Sequence, residues 1–167
     1  MQNFEKKESV SEELIKKFQQ SLAPDILNIW RNYGFGSIYN GFLKIINPME
    51  YMDFVMETFF LGNEAIPIMV TGTGEIIAWV KNKYIYMLDY KENTFECLAS
   101  GFDFFWEDLD HQQVPFLSGK ATEYVKILKQ NGRLNYEECF VMDKKIQDIK
   151  MGIHDYLKEL VNSYGKI

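Results

Sequence analysis

Histidine is scarce in this sequence, and so are the motifs that place a nucleophile beside one. Only His111 and His154 occur among 167 residues, and there is no Gly-x-Ser-x-Gly elbow. A histidine-dependent hydrolase would need one of them beside a serine or cysteine nucleophile. His154 lies between the apolar Ile153 and Leu157, which is typical of the flank of a packed helix. We therefore predict a protein that works by binding, with no enzymatic activity and no cofactor.

The chain also lacks the long apolar run of a membrane protein. No stretch reaches the roughly 18 to 20 uncharged residues that span a bilayer. Its start, from Met1 to Glu8, is charged and lacks the apolar stretch of an export signal. We therefore expect a cytoplasmic protein that does not contact a membrane.

Cysteine is limited to Cys97 and Cys139, which lie in strand-like segments without Cys-x-x-Cys spacing or a nearby histidine. Free thiols buried in the core are the favoured interpretation. A disulfide is a weaker alternative because disulfides are rare in the cytosol. Metal binding or redox chemistry is weaker still.

Basic residues are too few to balance the acidic ones, and the formal net charge is −6. The whole excess lies between Asp89 and Asp110, a window with seven acidic residues and a single base, Lys91. The rest of the chain has 17 acidic and 17 basic residues. A net acidic protein is a poor ligand for a phosphate backbone, so we expect no direct contact with nucleic acid. An acidic patch would instead attract a basic partner.

Glycine occurs in two pairs that superficially resemble a nucleotide-binding loop. The dinucleotide fingerprint needs a third glycine and a helix that opens directly after the strand. Gly72-Thr-Gly74 leads into another strand, which predicts a hairpin turn. Gly34-Phe-Gly36 follows a helix, which predicts a helix stop and a close packing contact.

What the chain does have is 47% hydrophobic and 16% aromatic residues, enough to build a dry core. In the first third, capping residues, proline and apolar spacing predict three helices and one extended segment. These are a helix capped by Ser9 and Glu12, a helix from Pro24 to Gly34, an extended segment Ser37–Ile46 and a helix from Asn47-Pro48 to Gly62.

The middle of the chain contains short β-branched and aromatic runs separated by turn residues, which predicts an antiparallel meander. After Gly101 the spacing returns to that of helices. The predicted strands are Ala65–Thr71, Glu75–Val80, Lys83–Tyr90, Thr94–Ser100 and Glu137–Met142. The predicted helices are Phe102–Leu109, Phe116–Asn131 and a last helix that is capped by Asp143.

This order predicts an α+β fold with N-terminal helices, a central antiparallel β-meander and C-terminal helices. Residues 1–167 form a single compact unit in this prediction, with 1–62 and 63–167 as sub-lobes. The oligomeric state is not predicted.

The segment from Phe102 to His111 carries the most unusual chemistry. Three carboxylates and an imidazole lie between Glu107 and His111, a set that a divalent cation could use, although the spacing matches no known loop. An exposed acidic helix end is the favoured interpretation, and no metal site is predicted. Phe102, Phe105 and Trp106 are predicted to pack inward, with Trp106 also able to anchor an interface.

Five strings in the sequence occur in an order that resembles a known family. They are Tyr33-Gly-Phe-Gly-Ser37, Gly41-Phe-Leu-Lys-Ile-Ile-Asn-Pro48, Ala65-Ile-Pro-Ile68, Glu75-Ile-Ile-Ala-Trp79 and Ser100-Gly-Phe-Asp-Phe-Phe105. Together they resemble the GAD-like family joined to the C-terminal domain of immunity proteins of the bacterial type VI secretion system. The resemblance runs from Leu22 to Cys139, and the closing segment from His154 also fits.

The resemblance implies a protein that is encoded beside a secreted toxin, a DNase in the best-understood members, and that binds and silences it. The matching Gly34, Gly36, Asn47, Pro48 and Trp79 imply fold-determining positions, not toxin contacts. One departure concerns the segment after Cys139. There the family has a longer loop before the last helix, and here only residues 140–144 are expected to intervene.

Our leading hypothesis is an immunity protein whose acidic surface covers the basic face of a nuclease toxin of the type VI secretion system. The predicted toxin-binding residues are Asp89, Tyr90, Glu92, Asp103, Trp106, Glu107, Asp108 and Asp110. One alternative is a small-ligand or metal-responsive sensor with a pocket formed by Tyr84, Tyr86 and Trp79. Another is an enzyme that uses Glu107, Asp110 and His111.

Overall fold

The computed structural model describes residues 3–103, 105–110 and 115–167, and the side chains of residues 109, 110, 115 and 116 are outside this description. Within these ranges the chain forms nine strands and six α-helices. The strands are β1 (Glu5–Glu8), β2 (Phe35–Ile38), β3 (Leu43–Ile45), β4 (Ala65–Thr71), β5 (Ile76–Val80), β6 (Tyr84–Asp89), β7 (Thr94–Ser100), β8 (Glu138–Phe140) and β9 (Lys150–Gly152). The helices are α1 (Glu12–Phe18), α2 (Pro24–Asn32), α3 (Met52–Thr58), α4 (Phe105–Asp110), α5 (Pro115–Asn131) and α6 (Ile153–Tyr164).

Strands β1 to β7 form one antiparallel sheet in chain order. The α+β class and the meander are confirmed, but the predicted N-terminal helical part is wrong in detail because three strands precede β4. The extended segment is a hairpin, β2–β3, whose turn holds Tyr39, Asn40 and Gly41 at positive φ. The sequence does not predict strand β1, because all four of its residues are exposed and it therefore has no alternation of apolar and polar residues.

The sheet buries both of its faces. Directly opposed residues of an antiparallel pair point to the same side, so Ile77 and Met87 share one face and Ile76 and Leu88 the other. The first face packs on α1 and α2, together with Phe102 and parts of α5, to form core 1. The second face packs on α3 and α6 to form core 2. Helices on both sides of one sheet give a three-layer arrangement.

Strands β8 and β9 pair separately and lead directly into α6. The predicted start of the last helix at Asp143 is wrong. The Asp143 carboxylate accepts a hydrogen bond from the backbone N–H of Lys145 at 2.9 Å and closes a turn instead. Helix α6 begins at Ile153, so residues 140–152 lie between Cys139 and α6, and the expected short connection is wrong as well.

No helix in the described part of the chain has the length and apolar character needed to cross a bilayer.

Candidate interaction surface

Asp89 is buried in an ion network and does not lie on the surface. It is 4% exposed, and the ammonium of Lys120 on α5 lies 2.7 Å from its carboxylate and 2.8 Å from that of Glu75. Burial alone would lower the pKa of Lys120, but the charges of the two carboxylates outweigh it and raise that pKa. The hydroxyl of Thr73 also donates to Glu75 at 2.5 Å. Asp89 therefore fastens α5 to the sheet.

Tyr90 is equally inaccessible, at 1% exposure in core 2. Its hydroxyl lies 2.8 Å from that of Thr58, and its ring packs edge-on to Phe54. Burial raises the pKa of this hydroxyl to about 12. Tyr90 is thus held inside the protein, where a partner does not reach it in this conformation.

The acidic helix α4 presents its charges outward, as the spacing predicts. Asp103 and Glu107 are exposed and Asp108 is half-buried. Phe102 and Phe105 are buried, and the ring of Trp106 stacks on Phe102 at 6.2 Å between centroids. Within the described residues the buried indole N–H of Trp106 has no hydrogen-bond acceptor. The predicted Asp110 side chain and His111 lie outside the described residues.

The acidic residues of the window that are at least partly exposed lie along strand β7 and at its two ends. Glu92 is exposed in the turn before it, Glu96 is half-buried on it, and Asp103 comes just after it. Seven residues of strand span roughly 20 Å, so these charges extend along the strand. The structure thus turns the predicted acidic window into a line of charge beside β7.

Strand β7 is an edge of the sheet. It pairs with β6 on one side, and no strand pairs with its other side within the described ranges. The chain that follows turns onto a face of the sheet, because the ring of Phe102 packs against Trp79 at 5.3 Å in core 1. An open edge of this kind exposes unpaired backbone N–H and C=O groups.

Two exposed phenylalanines lie beside this edge, and sequence reasoning missed them. Phe60 is 64% exposed and Phe95 on β7 is 40% exposed, with ring centroids 5.0 Å apart. Buried Phe59 supports both rings, and Tyr86 flanks Phe95 at 6.1 Å. The helical period could have identified Phe60 as exposed, because Val55 and Phe59 lie on the buried face and Phe60, the next residue, lies off that face.

A cleft of about 630 Å³ opens elsewhere, between the α1–α2 connection, α3 and the β4–β5 hairpin. Its lining includes Trp79, Met52, Met56 and Asn63. Trp79 pairs with Ile85, so the flanking Tyr84 and Tyr86 point to the opposite face of the sheet. The predicted pocket of Tyr84, Tyr86 and Trp79 is therefore not assembled.

Two cysteines and one histidine are the other reactive side chains that the described residues include. Cys139 is a buried free thiol, as predicted, and burial raises its pKa to about 12. Cys97 is a free thiol too, but it is exposed on β7, so the prediction of burial is wrong for it. His154 is exposed on α6 and stacks on Tyr51 at 4.3 Å. The described residues contain no group of three potential metal ligands.

Comparisons with known proteins agree with this fold. A crystal structure of Atu4351 from Agrobacterium tumefaciens is similar, with a TM-score of 0.68 over 97% of this chain and 85% of that one, at 14% sequence identity. An identity this low shows a shared fold alone. No curated protein matches the chain. Residues 1–88, from the start of the chain into β6, match the GAD-like domain, and the protein therefore belongs to the GAD-like family.

Proposed function

We propose that this protein is an immunity protein that neutralises a cognate secreted toxin by direct contact. The toxin in this proposal is a nuclease delivered by the type VI secretion system, and the encounter takes place in the cytoplasm. Membership of the GAD-like family supports this proposal, as does the resemblance of the ordered motifs to toxin-neutralising immunity proteins. In this proposal the protein has no enzymatic activity and binds no cofactor. It makes no direct contact with nucleic acid or with a membrane.

The observation that carries the proposal is the exposed charge beside β7 and on α4. Glu92, Asp103 and Glu107 are exposed, and Glu96 and Asp108 are half-buried. From position 83 to 110 the sequence offers only two bases against them, Lys83 and Lys91, and Lys91 is ion-paired with Glu92. A nuclease needs a positive cleft to hold phosphates. An acidic surface of fitting shape competes for that cleft and is attracted to it over a distance.

Charge reversal on α4 and just before it tests this proposal. In the double variant Asp103→Lys/Glu107→Lys we expect association with the toxin encoded by the adjacent gene to slow at least tenfold at low salt. Protection of cells that express the toxin should fall accordingly. Both residues are exposed, so the fold should be retained.

The matched control is Glu12→Lys/Glu13→Lys on α1, where two exposed acidic residues change by the same charge. This control should protect as the wild type does. Equal protection by both double variants would refute the role of the acidic surface. A failure of the wild-type chain to bind or protect would refute the immunity function itself.

The cleft beside Trp79 favours a second function, that of a small-ligand sensor. Its volume of about 630 Å³ lies in the range of sites for small molecules. A bound ligand raises the melting temperature by mass action, so a thermal-shift screen with nucleotides and metal ions tests this alternative. A shift that the exposed variant Met56→Glu abolishes would support it, and no shift with any compound would count against it.

A further inference from the structure

We infer that the toxin docks on the open edge of the sheet, where an extended basic segment pairs with β7 as an eighth strand and places an apolar side chain on Phe60 and Phe95. This inference rests on the proposed function and goes further by naming the contact and the chemistry of the partner segment. Three observations carry it.

The first observation is the state of the edge. Residues Thr94–Cys97 pair regularly with β6, and the bulge lies beyond them, at Leu98. A regular strand has every second N–H and C=O pointing away from its partner. On β7 these outer groups meet no other strand within the described sheet. They are complementary to the backbone of an extended segment that is added to the sheet as a strand.

The second observation is the aromatic support beside that edge. Phe95 lies within the regular segment, and Phe60 reaches it from the end of α3 with 5.0 Å between the ring centroids. Phe59, 3% exposed, holds both rings from below at 5.0 and 5.5 Å. Exposed aromatic side chains that are fixed by a buried neighbour are typical anchors of an interface. The anchors and the hydrogen-bonding edge therefore lie side by side.

The third observation is charge, which selects a basic partner over a second copy. Glu92 precedes the regular segment, Glu96 lies within it, and acidic α4 follows the end of β7. Two copies paired through β7 would bring these glutamates together in molecules that each carry −6. An extended segment rich in lysine or arginine meets the opposite charge along the whole edge.

The experiment uses the full chain co-purified with the toxin encoded by the adjacent gene. Amide hydrogen exchange is measured on the chain alone and on the complex. We expect exchange across Thr94–Cys97 to slow at least tenfold in the complex, because strand pairing shields the outer amides. Exchange in β1, the opposite edge, serves as the internal reference and should not change.

Variants separate the anchors from the backbone edge. Phe60→Asp should weaken binding at least tenfold, while Ile149→Asp, at a side chain 54% exposed before β9, should leave binding unchanged. Successive N–H groups of a strand point to opposite sides, so one of Glu96→Pro and Cys97→Pro removes an outward N–H and leaves the β6–β7 ladder intact. The proline variant that keeps the wild-type melting temperature should lose binding.

The outcomes distinguish the inference from the function on which it rests. Protection of cells together with unchanged β7 exchange and a neutral Phe60→Asp variant would overturn the docking site and leave the immunity function standing. Absence of both complex and protection would overturn the function, and the docking site with it. If amide exchange in β7 is already slow in the chain alone and becomes fast on dilution, a second copy occupies the edge. That result also overturns the inference.

Discussion

Lys44 occupies the middle of β3, with 1% of its surface exposed. Its ammonium donates to the backbone carbonyls of Glu138 and, at 3.3 Å, Asn135, so it ties the sheet to the ribbon of β8 and β9. Desolvation lowers the pKa of Lys44 from 10.5 to about 8, against a smaller opposing effect of nearby acidic groups. A lysine in this position makes the free energy of unfolding change with pH in the alkaline range.

Because of Lys44, the free energy of unfolding of the wild type should increase as the pH is raised from about 8 to 10.5. In this window the unfolded chain holds a proton on Lys44 that the folded chain has released, so raising the pH favours folding. Relative to Lys44→Met, the wild type should gain on the order of 3 kcal/mol in unfolding free energy across the window. Denaturant unfolding at a series of pH values measures this difference. The control Lys6→Met, at an exposed lysine of β1, should keep the wild-type slope, and a Lys44→Met variant with that slope would contradict the assignment.

Lys120 is the only base that the structure places between the buried carboxylates of Glu75 and Asp89 among the described ion pairs. Lys120→Met would leave two carboxylates, 3% and 4% exposed, without their counter-charge. Removing one partner from a buried ion network costs about 3–5 kcal/mol, and urea denaturation at neutral pH should show a loss of that size. Lys126→Met, at an exposed lysine on the same helix, should stay within about 0.5 kcal/mol of wild type. Equal effects of the two changes would show that the network does not stabilise the fold.

Helix α1 is capped by a different serine from the one that the sequence pattern predicts. Two serines precede it, and the capping-box pattern selects Ser9, whereas the structure places Ser11 at the N-cap with its hydroxyl accepting from the N–H of Leu14 at 3.2 Å. Ser11→Ala should cost about 1 kcal/mol of unfolding free energy. Ser9→Ala, at an exposed residue before the helix, should cost less than about 0.5 kcal/mol. Thermal or urea unfolding of the pair checks this, and the reverse order of effects would restore Ser9 as the cap.

Elements defined by local chemistry were predictable, and elements defined by distant partners were not. Strands Ala65–Thr71 and Thr94–Ser100 match the predicted bounds, because β-branched runs between turn residues mark both ends. Strand β1 exists only through its pairing with β2, which no local pattern reveals. The predicted last helix begins too early, because Ile146 and Ile149 continue the apolar spacing of α6 although they lie before β9.

The same distinction separates the parts of the candidate site. The outward orientation of Glu107 follows from the helical period. Asp103 is exposed as well, but it lies in the turn before α4. The burial of Asp89 depends on Lys120, 31 positions away, and that of Tyr90 on Thr58, 32 positions away. Composition therefore located the region of the surface, while only the tertiary structure shows which of its residues a partner can touch.

At the scale of the whole molecule, both cores combine early and late parts of the chain. Core 1 joins Trp30 of α2 to Tyr124 of α5, and core 2 joins Val55 of α3 to Leu157 of α6. The sheet between the cores is continuous from β1 to β7. The GAD-like match ends at residue 88 inside β6, so this family boundary divides a strand and both cores.

We therefore expect one cooperative unfolding transition for the full chain. All three tryptophans lie in or against core 1, and core 2 contains none. Tryptophan fluorescence thus reports one core, while far-ultraviolet circular dichroism reports the whole fold, and the two denaturation curves should coincide. A fragment of residues 1–88 should show no cooperative transition, because it lacks β7, α5 and α6 and leaves both faces of the sheet partly uncovered. A folded fragment would mean that the C-terminal helices are an addition to the GAD-like unit. Separated curves for the full chain would mean that the two cores are independently stable.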